Sequence, residues 1–215
     1  MKKVYILCGL GVDKRVFNNF KFDGLDVEYI DWIPPTKKES LSAYARRLAN
    51  HIQHKEPILI GLSFGGMVAM EIAKIIEVKK VILIASAKNK YELPFYFRII
   101  GKIGLNKVIP AKLLKSSNYI TNWFFGAQTK EEKLLLKSIL HDTNPIFLKW
   151  AINEIINWDN TVEPVSTIHI HGNSDRILPI SYTKADYYIN QGGHFMTINK
   201  SKEIEEIIQH IIINL

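Results

Sequence analysis

The stretch "ILIGLSFGGMVAMEIA", residues 58–73, limits the fold more than any other part of the chain. Its opening run, Ile58 to Leu62, is apolar without polar alternation, as in a strand covered on both faces. From Phe64 onward it is apolar nearly all round at the helical period, as in a helix buried within a domain. A buried strand running straight into a buried helix requires a parallel sheet with helices packed on both sides. At the join stand Gly61-x-Ser63-x-Gly65 and then Gly66.

The rest of the chain repeats the alternation. Strands are expected at Lys3–Cys8, Asp26–Asp31, Pro57–Leu62, Lys79–Ala85, Thr167–Gly172 and Ala185–Asn190. Helical patterns separate them at Ser40–His54, Phe64–Ile76 and Lys202–Ile213. The expected fold class is α/β: a doubly wound, mainly parallel sheet of about six strands. Residues 87–164 break the rhythm and read as all-helical, with helices near 93–103, 108–124, 130–141 and 144–158. Thr129-x-x-Glu132 is a capping-box pattern, and Asn144-Pro145 marks a helix start. The expected organisation is a core of residues 1–86 and 165–215 with a helical insertion at 87–164. In the first of those helices Phe95, Ile99, Ile100 and Ile103 are expected to face inward, leaving Arg98 and Lys102 toward solvent.

Charge is concentrated rather than spread. The net charge is +7, and residues 88–116 hold seven Lys or Arg against the single Glu92. No nucleic-acid-binding motif accompanies that segment, so no nucleic-acid partner is expected. Contact with an anionic lipid surface or an acyl carrier is the sharper expectation, and a solvated face the plainer one. Cys8 is the only cysteine, which excludes an intramolecular disulfide and suits a reducing, cytoplasmic setting. "MKKVYILCGL" has too short an apolar run for a secretory leader and is expected to supply the first strand.

The glycines at the join have a mechanical reason. A strand that turns sharply into a helix brings the residues two before and two after the serine close together, leaving no room for side chains. The serine takes a strained conformation, at a cost of about 1–3 kcal/mol. Its hydroxyl is then presented at the carboxyl end of the sheet. The next amide, of Phe64, opens the positive end of a helix, where an oxyanion is stabilised. A phosphate loop does not fit, because Met67 occupies the position of the required lysine.

A serine needs a base and a group to orient that base. Asp175 follows the strand in "TIHIHGNSDRILPI", and His194 follows the next strand in "ADYYINQGGHFMTI". Both belong to loops leaving the same sheet edge as Ser63. A dinucleotide site built on Gly9, Gly11 and Asp31 is the competing reading, but Lys14 replaces the third glycine and no clear helix begins there. His51-x-x-His54 and His169-x-His171 lack a third ligand nearby in sequence and read as structural rather than metal-binding.

With "ILCGLG", "GLSFGG", "HGNSDRILP" and "GGHF" in this order, the chain resembles the α/β-hydrolase superfamily over nearly its whole length. The resemblance implies Ser63 as nucleophile, His194 as general base and Asp175 as the orienting acid. It implies oxyanion-hole amides from Leu10 and Phe64, with Cys8 standing where the family usually has histidine. It also implies a helical lid at 87–164, no cofactor, no metal and a small-molecule acyl substrate. Two departures mark a compact variant: the family's first two strands are missing, and only a short connection separates the last two. A ligand- or partner-binding protein of the same fold with slow or no turnover is the alternative.

Overall fold

The computed structural model describes residues 1–104, 110, 115–164 and 166–215. Six parallel strands form one sheet: β1 (Lys2–Leu7), β2 (Leu25–Ile30), β3 (Ile58–Leu62), β4 (Lys80–Ile84), β5 (Thr167–Gly172) and β6 (Tyr187–Ile189). Their spatial order is β2-β1-β3-β4-β5-β6. All six expected strands are present. The last is shortened to Tyr187–Ile189, because Asp186 turns its carboxylate onto the His169 amide.

Side chains alternate across the sheet, and the alternation divides the core in two. Val4, Ile6, Ile58, Ile60, Ile82 and Ile84 face one side. There they pack through Ile204, Ile208 and Ile211 against α8 (Ser201–Ile213), which follows the short α7 (Met196–Asn199). Tyr5, Leu7, Leu59, Val81 and Leu83 face the other, against α1 (Leu41–Ala49) and α2 (Phe64–Ile72). Both faces are therefore covered, as the uniformly apolar strands require. Ser40 caps α1 by accepting the Ala43 amide.

The order of the strands fixes where a site can form. The chain leaves β1 for β2 on one side and returns to β3 on the other, so the winding direction reverses between β1 and β3. At such a switch point the loops diverge and leave a crevice beyond the carboxyl ends of the strands. Leu7 pairs with Gly61 there, and the loops beginning at Cys8 and Ser63 leave side by side.

Among the described residues of 87–164 there is no strand. The helices are α3 (Phe95–Lys102), α4 (Tyr119–Phe125), α5 (Lys130–Asp142) and α6 (Pro145–Asn157). The capping box on α5 is formed, and Pro145 occupies the first turn of α6. The helix expected over 108–124 is shorter: residues 116–118 are not helical, and Asn118 caps α4 by accepting the Thr121 amide. The earlier part of that expected helix, residues 108–109 and 111–114, lies outside the described residues. Between β5 and β6 the connection is turns alone, as expected.

The orientation of α3 differs from expectation. Phe97 and Ile100 line the interior cavity, whereas Phe95, Ile99 and Ile103 are exposed. The apolar side chains of α3 occupy a wide arc opposite Arg98 and Lys102, and only one edge of that arc, Phe97 and Ile100, faces inward. Gly101 decides it: a β-carbon there would lie 2.3 Å from Ile156 Cγ2, so this edge is pressed against α6.

Candidate active site

Ser63 is held twice, by the end of β4 and by the loop that follows it. Its amide donates to the Ile84 carbonyl at 2.9 Å, and its own carbonyl accepts from Ser86 Oγ at 2.7 Å. Its backbone has φ 51° and ψ −119°, the strained conformation expected for an exposed hydroxyl at a sharp turn. The glycines permit the turn. A β-carbon on Gly61 would lie 2.4 Å from Gly66 Cα, and one on Gly65 2.2 Å from the Leu7 carbonyl oxygen. Gly66 makes room for Ser86: a β-carbon there would meet Ser86 Oγ at 2.3 Å.

The three residues expected to act together are brought together. Ser63 Oγ lies 2.8 Å from His194 Nε2, and His194 Nδ1 lies 2.7 Å from Asp175 Oδ2. An ionised carboxylate only accepts, so His194 donates from Nδ1 and leaves Nε2 to accept the serine hydroxyl. The other oxygen of Asp175 accepts the amides of Ile177 and Leu178 at 2.8 and 2.9 Å. Burial pushes the Asp175 carboxyl up, but His194, His171 and the Leu178 amide together hold it below the usual carboxylate value. It is therefore ionised at neutral pH.

The His194 loop is fixed from two directions. A β-carbon on Gly172 would lie 2.2 Å from the Gly192 carbonyl oxygen, so the ends of β5 and β6 meet closely. Gly126, at φ 75°, packs its backbone against Gly193, and the Phe195 amide donates to the Phe125 carbonyl at 2.9 Å. The Phe125 ring stands edge-on to His194, with centroids 5.8 Å apart. Helix α4 is in this way attached to the loop that carries His194.

Leu10 and Phe64 flank Ser63. Phe64 is the first residue of α2, so its N–H has no partner within the helix. The loop of Gly9 and Leu10 closes against the serine: a β-carbon on Gly9 would lie 3.2 Å from Ser63 Cβ. Ser63 and His194 open into a cavity of about 340 Å³. Its walls are almost wholly apolar and include Met67, Phe97, Ile100, Phe125, Leu148 and Ile155. A second cavity of about 380 Å³ lies on the far side of the Leu10 loop, between Trp32–Pro35 and the start of α6; Ser63 does not line it.

The dinucleotide reading loses its main support. After Gly9 and Gly11 the chain forms only a four-residue 3₁₀ turn, Lys14–Phe17, in place of a long helix to receive a pyrophosphate. Asp31 is exposed beyond the end of β2. Among the described residues no cluster of three or more His, Cys, Asp or Glu is arranged to hold a metal ion. None of their helices is long and apolar enough to cross a membrane.

Cys8 lies just past β1, 5% exposed. Burial, with smaller contributions from Asp13 and Asp31, pushes its thiol up to about 12, so almost no thiolate exists at neutral pH. Cys8→Ala is expected to leave any activity within a few-fold of the parent, and thiol reagents to act slowly or not at all. A loss of about 10³ or more in Cys8→Ser, with matching thiol-reagent inactivation, contradicts this account and indicates a catalytic thiol.

Three features have no counterpart in the sequence reading: Ser86 behind the elbow, the Phe125 contact with His194, and a buried chain from Glu92 through His169 and His171. The adjacency of Gly66 to the motif is the only local signal for Ser86. The His-x-His spacing puts both imidazoles on one face of β5, which is the signal for the third.

No protein-family model and no curated protein matches this chain. Solved structures do. A bromoperoxidase from Bacillus anthracis is similar at 17% identity and TM-score 0.74, over 98% of this chain and 91% of that one. A thermophilic esterase from Thermogutta terrifontis is similar at 16% identity and TM-score 0.71, over 100% and 90%. An esterase from Exiguobacterium antarcticum is similar at 15% identity and TM-score 0.70, over 98% and 92%. Together with a six-stranded parallel sheet whose third strand turns sharply at Ser63 into α2, these likenesses identify the architecture as the α/β-hydrolase fold.

Proposed function

We propose that the protein is a serine hydrolase that cleaves a carboxylic ester or related acyl bond. The observation that carries this reading is the unbroken hydrogen-bonded sequence Ser63–His194–Asp175 opening into an apolar cavity. In this reading His194 Nε2 takes the hydroxyl proton as Ser63 Oγ bonds to the substrate carbonyl carbon. The oxyanion is received by the N–H groups of Leu10 and Phe64. His194 then gives its proton to the departing alkoxide, leaving an acyl-enzyme. Water attacks the acyl carbon as its proton passes to His194; the bond from that carbon to Ser63 Oγ then breaks, His194 returns the proton to Oγ, and the carboxylic acid departs. Asp175 stays ionised throughout and holds the imidazole in orientation. The apolar walls suit a hydrocarbon acyl group, and no step calls for a cofactor. The esterases of similar structure agree with this chemistry. A panel of p-nitrophenyl esters and acyl-CoA thioesters of graded chain length tests it. Turnover that rises with acyl length and falls by about 10⁴-fold or more in Ser63→Ala supports the reading, whereas no turnover on any of them favours a binding protein of this fold.

Helices α3 to α6 act in this reading as the lid, and the outward side of α3 has a further role. Phe95, Ile99 and Ile103 are exposed beside Arg98 and Lys102, a mixture of apolar and cationic side chains suited to an anionic lipid surface. Each cation near such a surface contributes about 1 kcal/mol, so replacing Arg98 and Lys102 by glutamine is expected to weaken binding to anionic vesicles by roughly 30-fold. Raising salt from about 0.05 to 0.5 M is expected to act in the same direction. Vesicle sedimentation checks both. Unchanged binding makes the cations a solvated face, and an effect confined to the KM of acyl-CoA points to a carrier substrate instead. A reducing, cytoplasmic setting accords with the single buried Cys8.

A further inference from the structure

Behind Asp175 lies a line of buried titratable groups that the acyl-transfer steps do not use. His169 and His171, on the same face of β5, are both 0% exposed. His171 Nε2 lies 2.8 Å from the Leu178 carbonyl oxygen and 3.7 Å from Asp175 Oδ2. His171 Nδ1 lies 3.1 Å from His169 Nε2, and His169 Nδ1 lies 3.8 Å from Glu92 Oε2. Glu92, itself 5% exposed, accepts the amides of Lys88 at 2.7 Å and Lys184 at 3.0 Å. The line thus runs from the root of the helical segment to the carboxylate beside His194.

Hydrogen-bond chemistry fixes both rings. A carbonyl only accepts, so His171 carries its proton on Nε2. Its Nδ1 is then the acceptor, and His169 must donate from Nε2. That leaves His169 Nδ1 as an acceptor with no hydrogen-bond partner among the described residues, facing Glu92. Burial lowers both imidazoles below their ordinary value, and burial raises the Glu92 carboxyl. Both rings are accordingly neutral. Their neighbours are Glu92 and Lys88 on the side of His169, with Asp186 on its amide, and Asp175 and His194 on the side of His171.

The consequence concerns the turn 175–178. Asp175 Oδ1 binds the Ile177 and Leu178 amides, and His171 binds the carbonyl of the same Leu178. The turn is held from within and from behind, which leaves Oδ2 directed at His194. We propose that His171, oriented by His169, is a positioning residue that holds the Asp175 turn and so sets the His194–Ser63 geometry. The proposal rests on the reading of Ser63, His194 and Asp175 as a catalytic unit. Displacing a catalytic group by about 1 Å costs on the order of 10²-fold in rate. Removing the His171 donor is therefore expected to lower kcat while leaving the apolar acyl cavity, and hence KM, little altered.

The test compares His171→Phe, which fills the space without a donor, with His171→Gln, whose amide can donate toward Leu178. His171→Phe is expected to lose about 10–100-fold in kcat, with KM within about 3-fold, and His171→Gln to recover most of the loss. Proton NMR of the His194 Nδ1–H, which lies in the bond to Asp175, supplies a readout that needs no turnover. Its resonance is expected to move in His171→Phe and to return in His171→Gln. Long-range ¹⁵N–¹H spectra of the parent protein are expected to show both His169 and His171 protonated on Nε2 alone at pH 7. They serve if His171→Phe fails to fold. Parent kcat and an unmoved His194 resonance in His171→Phe overturn the proposal, as does an Nδ1–H or cationic form of either ring. A parent protein without turnover, but with the His194 resonance moving as expected, overturns the hydrolase reading and leaves the positioning intact.

Discussion

Replacing Ser63 or His194 with alanine is expected to lower kcat by about 10⁴–10⁶, with Asp175→Ala somewhat less damaging. Combining any two of these changes is expected to add little, because the residues act as a unit. His194 is the link in that unit: Ser63 Oγ and Asp175 Oδ2 are joined through its two nitrogens. Residual rate should persist in Ser63→Ala, since the N–H groups of Leu10 and Phe64 remain in place to receive an oxyanion. Steady-state kinetics on the best ester of the panel, with circular dichroism to show that each variant is folded, checks the expectation. Full activity in Ser63→Ala contradicts it.

Gly65→Ala is expected to damage the fold itself. The added methyl would sit 2.2 Å from the Leu7 carbonyl oxygen and 2.3 Å from that of Cys8. Both are backbone atoms of the β1 end, which is paired with β2 on one side and β3 on the other, so neither can withdraw without disturbing the centre of the sheet. Overpacking where nothing can yield falls in the upper range of single-substitution effects, about 3–5 kcal/mol. For a chain of this size that lowers the melting temperature by on the order of 10 °C or more. Gly24→Ala is the control: a β-carbon there meets nothing within 4 Å, so only the strain of its φ of +76° is felt. Thermal melts of the two variants are expected to separate clearly, and equal melting temperatures contradict the steric account of the elbow.

Why some of this was readable in the sequence and some was not follows from the range over which each constraint acts. The elbow is mostly local: Gly61 is required by Gly65 and Gly66 of its own turn, and Gly65, required by the end of β1, falls at a fixed spacing from Ser63, so the motif is visible as a short pattern. The central strands are legible because both of their faces are buried, which forces continuous apolar runs such as Val81–Ile84, whereas the edge strand β2 alternates, with Asp26 and Glu28 exposed. Asp175 and His194 are legible through their position, each in the loop that follows a strand of a parallel sheet. The contacts that support them are not local. Ser86 reaches Ser63 from the neighbouring strand, and Glu92 approaches His169 from 77 positions earlier. No period or spacing reports such pairings. Helix α3 shows the opposite difficulty: its period sets Phe95, Ile99, Ile100 and Ile103 opposite Arg98 and Lys102, yet the edge that packs inward holds Phe97 and Ile100. The close approach of Gly101 to α6 selects that edge. His169-x-His171 lacks a third ligand nearby in sequence, and its spacing on β5 gives no notice of the turn at Leu178 that His171 contacts.

The most direct test of the central claim is peptide mass spectrometry of the protein after reaction with a fluorophosphonate. A serine hydroxyl facing the Nε2 of His194 should react in preference to every other hydroxyl in the chain. The account predicts one adduct per chain, on Ser63, and its loss in His194→Ala. An adduct on another residue, or ester hydrolysis that persists with Ser63 unmodified, would contradict it.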